Sequence, residues 1–584
     1  MSTQKKQSII EGGLILTLAL IVIKLLGWFY RVQLIAIIDE NGNSYYTTAY
    51  NLYILVYSVT VMGFPVAVSK IISGYIAEGR YLDVKKVISI STRFFALVGV
   101  VGTAIIFVIA GPYTSTIVDR PLAFWGVIAV APSIFFCCVM SVYRGYNQGF
   151  SNMTPTAVSQ VIEVLIKVVC GLAGAAIVRN ILTNEYNLSG TVAGVVISDA
   201  KEMYVQILAL SAAGAMLGIT LSTIAAYLYL VARHRIKGDG ITKLQLSESP
   251  APHNNKAILK RIIWIALPIA LSAATAAFAA LIDDITISHN LRSLFENHMD
   301  TVLASHGGLL KNAVETIPFD ELSSYLYGIY AMELVICNLI TTITGSFGMS
   351  ALPLVSSSWT AGDQTETRKN INTSLRITML IAAPAGFGIA FLAQPISSFV
   401  YSGKPTGALI GAPMLQLLGF AGIIIALVGI VNALLQGVGK PWVALWLMTI
   451  GLVIKCVSNY IVIAIPEYNI KAAPVGNILC YSFIAIAGLI ILRRYTKLKI
   501  DLIGTIAKPM FAGLITGVFA RLGYNIIYKY LASNTVSTMG AIILAVVIYV
   551  IFLGILKAIE RDDILSMPGG KKVAKILEKL HIIR

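Results

Sequence analysis

Runs of about twenty apolar residues recur from one end of this 584-residue chain to the other, and no other feature restricts its fold as tightly. In water such runs would need burial on every side. In a bilayer each is long enough to cross a hydrocarbon core of roughly 30 Å as an α-helix, which satisfies its backbone hydrogen bonds within one segment. Fourteen spans account for the runs, with cores at 9–37, 46–75, 94–116, 121–143, 155–178, 204–231, 258–284, 325–351, 375–400, 409–435, 442–465, 472–492, 505–527 and 536–557. Charged residues make up 12% of the chain, about half the usual fraction in a soluble protein. The sequence predicts an all-α polytopic membrane protein and excludes a soluble enzyme.

The formal charge of +16 raises the question of nucleic acid, but the cations follow membrane topology instead. With the N-terminus inside, the cytoplasmic segments hold 30 of the 44 Lys and Arg, the outer segments nine, and the spans five. That segregation obeys the positive-inside rule and places both ends in the cytoplasm. From Lys557 onward the chain is basic, with Val573, Ile576, Leu577 and Leu580 at helical spacing, a short amphipathic helix suited to the inner leaflet. The N-terminal apolar run lacks a small-residue cleavage site, so it reads as a retained span. All six cysteines fall in apolar runs without metal-ligand spacing and read as buried small hydrophobes. No metal site and no cofactor is expected.

The chain contains a repeat. "RGYNQGFSNMTPTAVSQVIEVLIKVV", from Arg144, lies without gaps on "NALLQGVGKPWVALWLMTIGLVIKCV", from Asn432, so that Gln148–Gly149 meets Gln436–Gly437 and Lys167 meets Lys455. A second pair places Gly79 on Gly362, Asp83 on Glu366 and Arg93 on Arg376. The offsets are 288 and 283 residues. Six spans separate the copies, an even number, so both point the same way. The expected organisation is an N-lobe over 1–235, a cytoplasmic linker over 236–257, a C-lobe over 258–495, two extra spans over 496–560 and a tail over 561–584. Parallel repeats suit alternating access, with substrate held between lobes near the midplane.

Ionisable groups inside spans cost several kcal/mol and need a cavity or a partner. Lys24 and Arg31 lie seven residues apart, two turns on one face, with no acid in the same span core, an arrangement suited to clamping a diphosphate. Lys70 approaches the cytoplasmic end of the second span, where snorkelling and headgroup binding both fit. Glu333 sits among apolar residues with no cation within a turn, either pairing across helices or carrying a proton. Glu163 and Lys167 stand at i and i+4 and are expected to neutralise each other. Lys455, the repeat partner of Lys167, has Gly451 where that acid would be. Asp283 and Asp284 read as a solvated helix end, and His289, His298 and His306 lack zinc spacing.

"IKLLGWFYRVQL", "GFPVAVSKIISGYIAEG", "YRGYNQGFSNMTPTAVSQVIEVLIK" and the tail "DDILSMPGGKKVAKILEKL" resemble the multidrug/oligosaccharidyl-lipid/polysaccharide (MOP) exporter superfamily, and within it the SpoVB-like and MurJ-like lipid-linked oligosaccharide flippases. The resemblance implies two lobes around a cationic cavity for an undecaprenyl-diphosphate-linked sugar, and a groove for the lipid tail on the thirteenth and fourteenth spans. It implies substrate contacts by arginines of the first, second and eighth spans. Here Lys24 stands at the match to one first-span arginine, and Arg31 is one position off the other. The second span has no match but carries Lys70 near its cytoplasmic end, and the eighth carries Glu333 instead of arginine. Some MurJ-like proteins are thought to hold Na⁺ in the second lobe. Lys455 and Asn459 share the spacing of such ligands, and the Lys455 ammonium is expected to replace the ion.

The leading expectation is a flippase, not an enzyme, for an undecaprenyl-diphosphate-linked sugar, lipid II first and another cell-wall, capsular or spore precursor next. The alternative is a cation-coupled multidrug exporter of the same superfamily. A membrane glycosyltransferase would need catalytic spacing that the acids of the 288–324 loop lack. A monomer in the bacterial plasma membrane is expected, with membrane lipids and the lipid-linked sugar as partners and no nucleic acid.

Overall fold

The Ile9–Thr60 helix has 52 residues, about 78 Å at 1.5 Å per residue and more than twice a hydrocarbon core. It breaks at Asp39, whose φ of 56° and ψ of −173° are not helical. A left-handed φ is strained for an aspartate, and its surroundings offset the cost. The Asp39 carboxylate accepts from Arg179 Nη2 at 3.1 Å and Tyr204 Oη at 2.8 Å, while Arg179 also donates to the Ile37 carbonyl. The break therefore divides one continuous helical run into two legs.

The computed structural model describes residues 9–560. Within them, thirteen helical stretches are long and apolar enough to cross a membrane, the first being the divided run from Val22 to Ala77. Among the described residues the only strands are Thr191–Val192 and Val195–Val196, a two-stranded antiparallel hairpin. The chain is an all-α polytopic membrane protein. The tail expected to be amphipathic falls in 561–584, outside the described residues.

Two compact units divide the chain: one through His289 together with Ala313–Gly328, the other Asn290–Asn312 together with Ile329 onward. The first is centred on residues such as Leu34, Ile38, Ile106, Ile134 and Met216, all fully buried or nearly so. Its Thr154–Ser189 and Ala200–Lys237 helices approach through glycines. A Cβ on Gly214 would stand 2.7 Å from the Gly174 carbonyl oxygen, and one on Gly218 would stand 2.5 Å from Gly171 Cα. Small residues spaced four apart let membrane helices come this close and gain dispersion contacts that lipid tails would not add. The second unit has its own core around Ile371, Leu375, Val431, Leu434 and Ile484.

The sequence repeat reappears in hydrogen bonds. After the Phe64–Ala77 helix, Gly79 takes φ +70° and the Arg80 N–H donates to Tyr75 O at 2.8 Å. In the other copy Gly362 takes φ +73° and the Asp363 N–H donates to Ser358 O at 3.1 Å. The second pair of turns matches as well. Asn152 N–H donates to Asn147 O at 3.0 Å with Ser151 at φ +56°, and Lys440 N–H donates to Leu435 O at 2.8 Å with Gly439 at φ +79°. Each is a helix stop in which a left-handed residue turns the chain back on the last carbonyls.

All six cysteines are free thiols. Cys137, Cys138, Cys337 and Cys480 are buried as expected, but Cys170 is half-buried and Cys456 exposed. Cys456 is followed on the same exposed strip of helix by Val457, Tyr460 and Ile461, a surface made for lipid rather than for a core.

Candidate functional site

The second leg of the opening helix reads "YYTTAYNLYILVY", and steps of four and three residues bring Tyr46, Tyr50, Tyr53 and Tyr57 to one face. Their rings follow one another with centroids 6.0, 5.8 and 5.7 Å apart, and Tyr30 of the first leg joins Tyr46 at 6.4 Å. Two cations rest on this file. The Arg31 guanidinium carbon lies 4.5 Å from the Tyr46 centroid, and its Nη2 donates to Thr47 Oγ1 at 2.9 Å. Lys167 Nζ lies 5.0 Å from the Tyr30 centroid and 5.4 Å from that of Tyr50. Aromatic faces attract cations by roughly 0.5–2 kcal/mol, most when water is excluded, yet they leave the formal charge in place.

Glu163 does not neutralise Lys167. Its carboxylate instead accepts from Arg144 Nη2 at 2.7 Å, and Arg144 Nε donates to Ser159 Oγ at 3.0 Å. The local four-residue spacing predicted the wrong partner because Arg144, on the preceding helix, offers a forked guanidinium that binds two side chains at once. Lys167 is thereby left on tyrosine faces, beside Arg31. The first unit gathers Arg31, Lys167 and the compensated Arg144–Glu163 pair around one aromatic file, so it carries net positive charge there.

Other sequence candidates lie elsewhere. Lys24 and Lys70 are both exposed, and neither joins the tyrosine file. In the second unit Glu333 is fully buried and accepts from Ser397 Oγ at 2.6 Å. Lys455 and Asn459 are buried one turn apart on the Pro441–Val462 helix. Asn459 fills the space over Gly476, where a Cβ would come within 1.8 Å of its Oδ1.

Asp284 is no solvated helix end. It is fully buried and paired with Arg120, also fully buried. Arg120 Nη1 donates to Asp284 Oδ1 and, at 3.0 Å, to Thr48 Oγ1, while its guanidinium lies 3.9 Å from the Tyr327 centroid. Asp284 also accepts from Tyr113 Oη at 3.1 Å, Thr48 Oγ1 at 3.1 Å and Asn51 Nδ2 at 3.4 Å. Close by, Tyr45 Oη donates to Glu321 at 2.7 Å, and Asn43 Nδ2 donates to Gly328 O at 2.8 Å. This polar cluster ties residues 43–51 to segments far along the chain. Its sequence signal was the run of polar residues "DENGNSYYTTAYN" opening an otherwise apolar span.

Residues 187–550 match the family described as "Lipid II flippase MurJ", more than half of the chain. The chain belongs to the MurJ family. A second family, described as "Polysaccharide biosynthesis protein", matches residues 9–293. The MurJ-family chain is 23% identical over 492 residues to the lipid II flippase MurJ of Bacillus subtilis (strain 168), covering 82% of each. It is 22% identical over 568 residues to stage V sporulation protein B of the same organism, covering 96% of this chain and 98% of that protein. Its fold resembles a solved structure of lipid II flippase MurJ in an inward closed conformation, with TM-score 0.61 and 14% identity, over 93% of this chain and 98% of that one. The MurJ family is one of membrane flippases, not of enzymes.

Proposed function

We propose that this protein moves an undecaprenyl-diphosphate-linked saccharide, lipid II first and another cell-wall or spore precursor next, between the leaflets of the bacterial plasma membrane by alternating access. The observation that carries the reading is the placing of Arg31 and Lys167 on one tyrosine file with the nearby acid, Glu163, committed to Arg144. Two cations without a committed counter-ion in an apolar unit suit a diphosphate, whose charge would offset theirs. Within the file Tyr50 and Tyr57 are half-buried, and their rings suit the faces of sugars. The names of the relatives, a lipid II flippase and a sporulation protein, support the substrate class.

The reading takes the repeat as two parallel lobes of six spans, the last two spans as a groove for the lipid tail, the segregation of Lys and Arg as support for cytoplasmic termini, and a monomer as the working unit. Lys24 and Lys70 would serve the same anionic headgroup from exposed positions. Lys455 would take the place of a bound alkali cation.

Depletion of the protein, followed by analysis of lipid-linked intermediates on each leaflet, tests the reading. Inner-leaflet lipid II should accumulate. Unchanged lipid II with a different trapped precursor would move the assignment to that precursor. A chain carrying both Arg31→Ala and Lys167→Ala, present at normal levels in the membrane, should fail to complement the depletion; full complementation would remove the diphosphate clamp.

A further inference from the structure

Glu333 lies near the middle of the Leu322–Thr360 helix, and no role in binding an anion suits a buried acid. Its side chain is fully buried. Oε1 accepts from Ser397 Oγ at 2.6 Å, while Oε2 is buried without a hydrogen-bond partner among the described residues. The carboxyl occupies space that Gly411 leaves open, since a Cβ on Gly411 would stand 2.3 Å from Oε1. A glycine and a short hydroxyl side chain together form a cradle the size of one carboxyl group.

The groups around the cradle do not supply a counter-charge. On the same helix, Tyr330 Oη accepts from Asn477 Nδ2 at 3.0 Å, and Cys337 Sγ donates to Leu418 O at 3.2 Å. Tyr401 Oη donates to Met332 O at 2.7 Å. The Pro405–Gly437 helix, which brings Gly411, contains no Asp, Glu, Lys or Arg, and Lys404 stands at its N-cap, seven residues ahead of Gly411. An ionised carboxylate with one hydrogen bond is expensive to hold in such a setting. A metal cation would need several oxygen ligands, and the cradle is filled by the carboxyl itself. A proton needs no shell.

We propose that Glu333 is a proton-binding site that couples the transport cycle to proton movement. The proton binds Oε2 to give the neutral acid in the buried arrangement, and it leaves as H⁺, restoring the carboxylate, when the cycle opens the cradle to water. Ser397 orients the carboxyl through Oε1, and Gly411 admits it. The coupled transport reading rests on the proposed flippase function; proton binding does not.

Two measurements on the purified full-length protein separate the two. Infrared difference spectra across a pH titration should show the C=O stretch of a protonated carboxyl, lost in Glu333→Gln and moved in Ser397→Ala. Absence of any such band change in Glu333→Gln overturns the proton site, whatever the substrate. In proteoliposomes with a fluorescent undecaprenyl-diphosphate disaccharide, an imposed pH gradient should change the flipping rate by up to about tenfold per pH unit for one coupled proton. Glu333→Gln should abolish that response. An equal response in Glu333→Gln, or a sodium-gradient response that Glu333→Gln removes, overturns proton coupling. If the wild-type chain does not flip this lipid while the infrared band behaves as expected, the substrate assignment fails and the proton site stands.

Discussion

The Glu163 carboxylate lies 2.7 Å from Arg144 Nη2, a residue on the preceding helix, and not on Lys167 one turn along its own. Removing the acid should therefore strand Arg144 rather than Lys167. Glu163→Gln is expected to lower stability by about 1–3 kcal/mol, the usual cost of leaving a largely buried charge-assisted hydrogen bond incomplete. Lys167→Met should cost little stability, because it removes only cation–π contacts, yet it should reduce flipping. Thermal melting in detergent beside a flipping assay distinguishes the two variants; equal destabilisation would restore the Glu163–Lys167 pair.

Arg120 and Asp284 are fully buried and share their bonds with Thr48, Asn51 and Tyr113. Asp284→Asn should destabilise the protein by about 3–5 kcal/mol, because breaking a buried pair leaves one charge uncompensated. Replacing both at once, Arg120→Met with Asp284→Leu, should recover much of that loss. If the single and double variants melt together, the pair adds nothing beyond packing.

His306 is buried just beyond the Asn255–Ser305 helix, with its ring Nδ1 2.9 Å from the Val302 carbonyl. Burial pushes its imidazole down to about 4. The folded value lies below the unfolded one, so the neutral ring contributes stability that is complete above about pH 6.5 and is lost as the pH falls toward 4. Wild-type melting temperature should fall across that window more steeply than that of His306→Gln. Parallel curves would show that the ring does not report on acid stability.

Lys455 and Asn459 stand one turn apart, both buried. With an ammonium at that place, flipping should run at the same rate in sodium and in choline buffers. Sodium stimulation in the purified protein, abolished by Asn459→Ala, would show that an alkali ion binds there after all.

What could be read along the chain was whatever depends on neighbours in sequence. Apolar runs of helical length fixed the class of fold, because no soluble packing hides so much surface. The two-residue match of Gln148–Gly149 to Gln436–Gly437 anticipated two turns with the same hydrogen-bond pattern, because a helix stop is built from adjacent residues. The spacing of Glu163 and Lys167 showed which groups could meet, but not which would.

Partner choice belonged to the tertiary structure. Arg144 reaches Glu163 across nineteen residues, and Arg120 reaches Asp284 across 164. In an apolar interior a buried charge takes the partner that packing brings within 3 Å, since the cost of leaving it alone exceeds any local preference. Composition placed these charges in the membrane; only the packing of distant helices decided which were neutralised, which rested on tyrosine rings, and which, like Glu333, had a single hydroxyl for company.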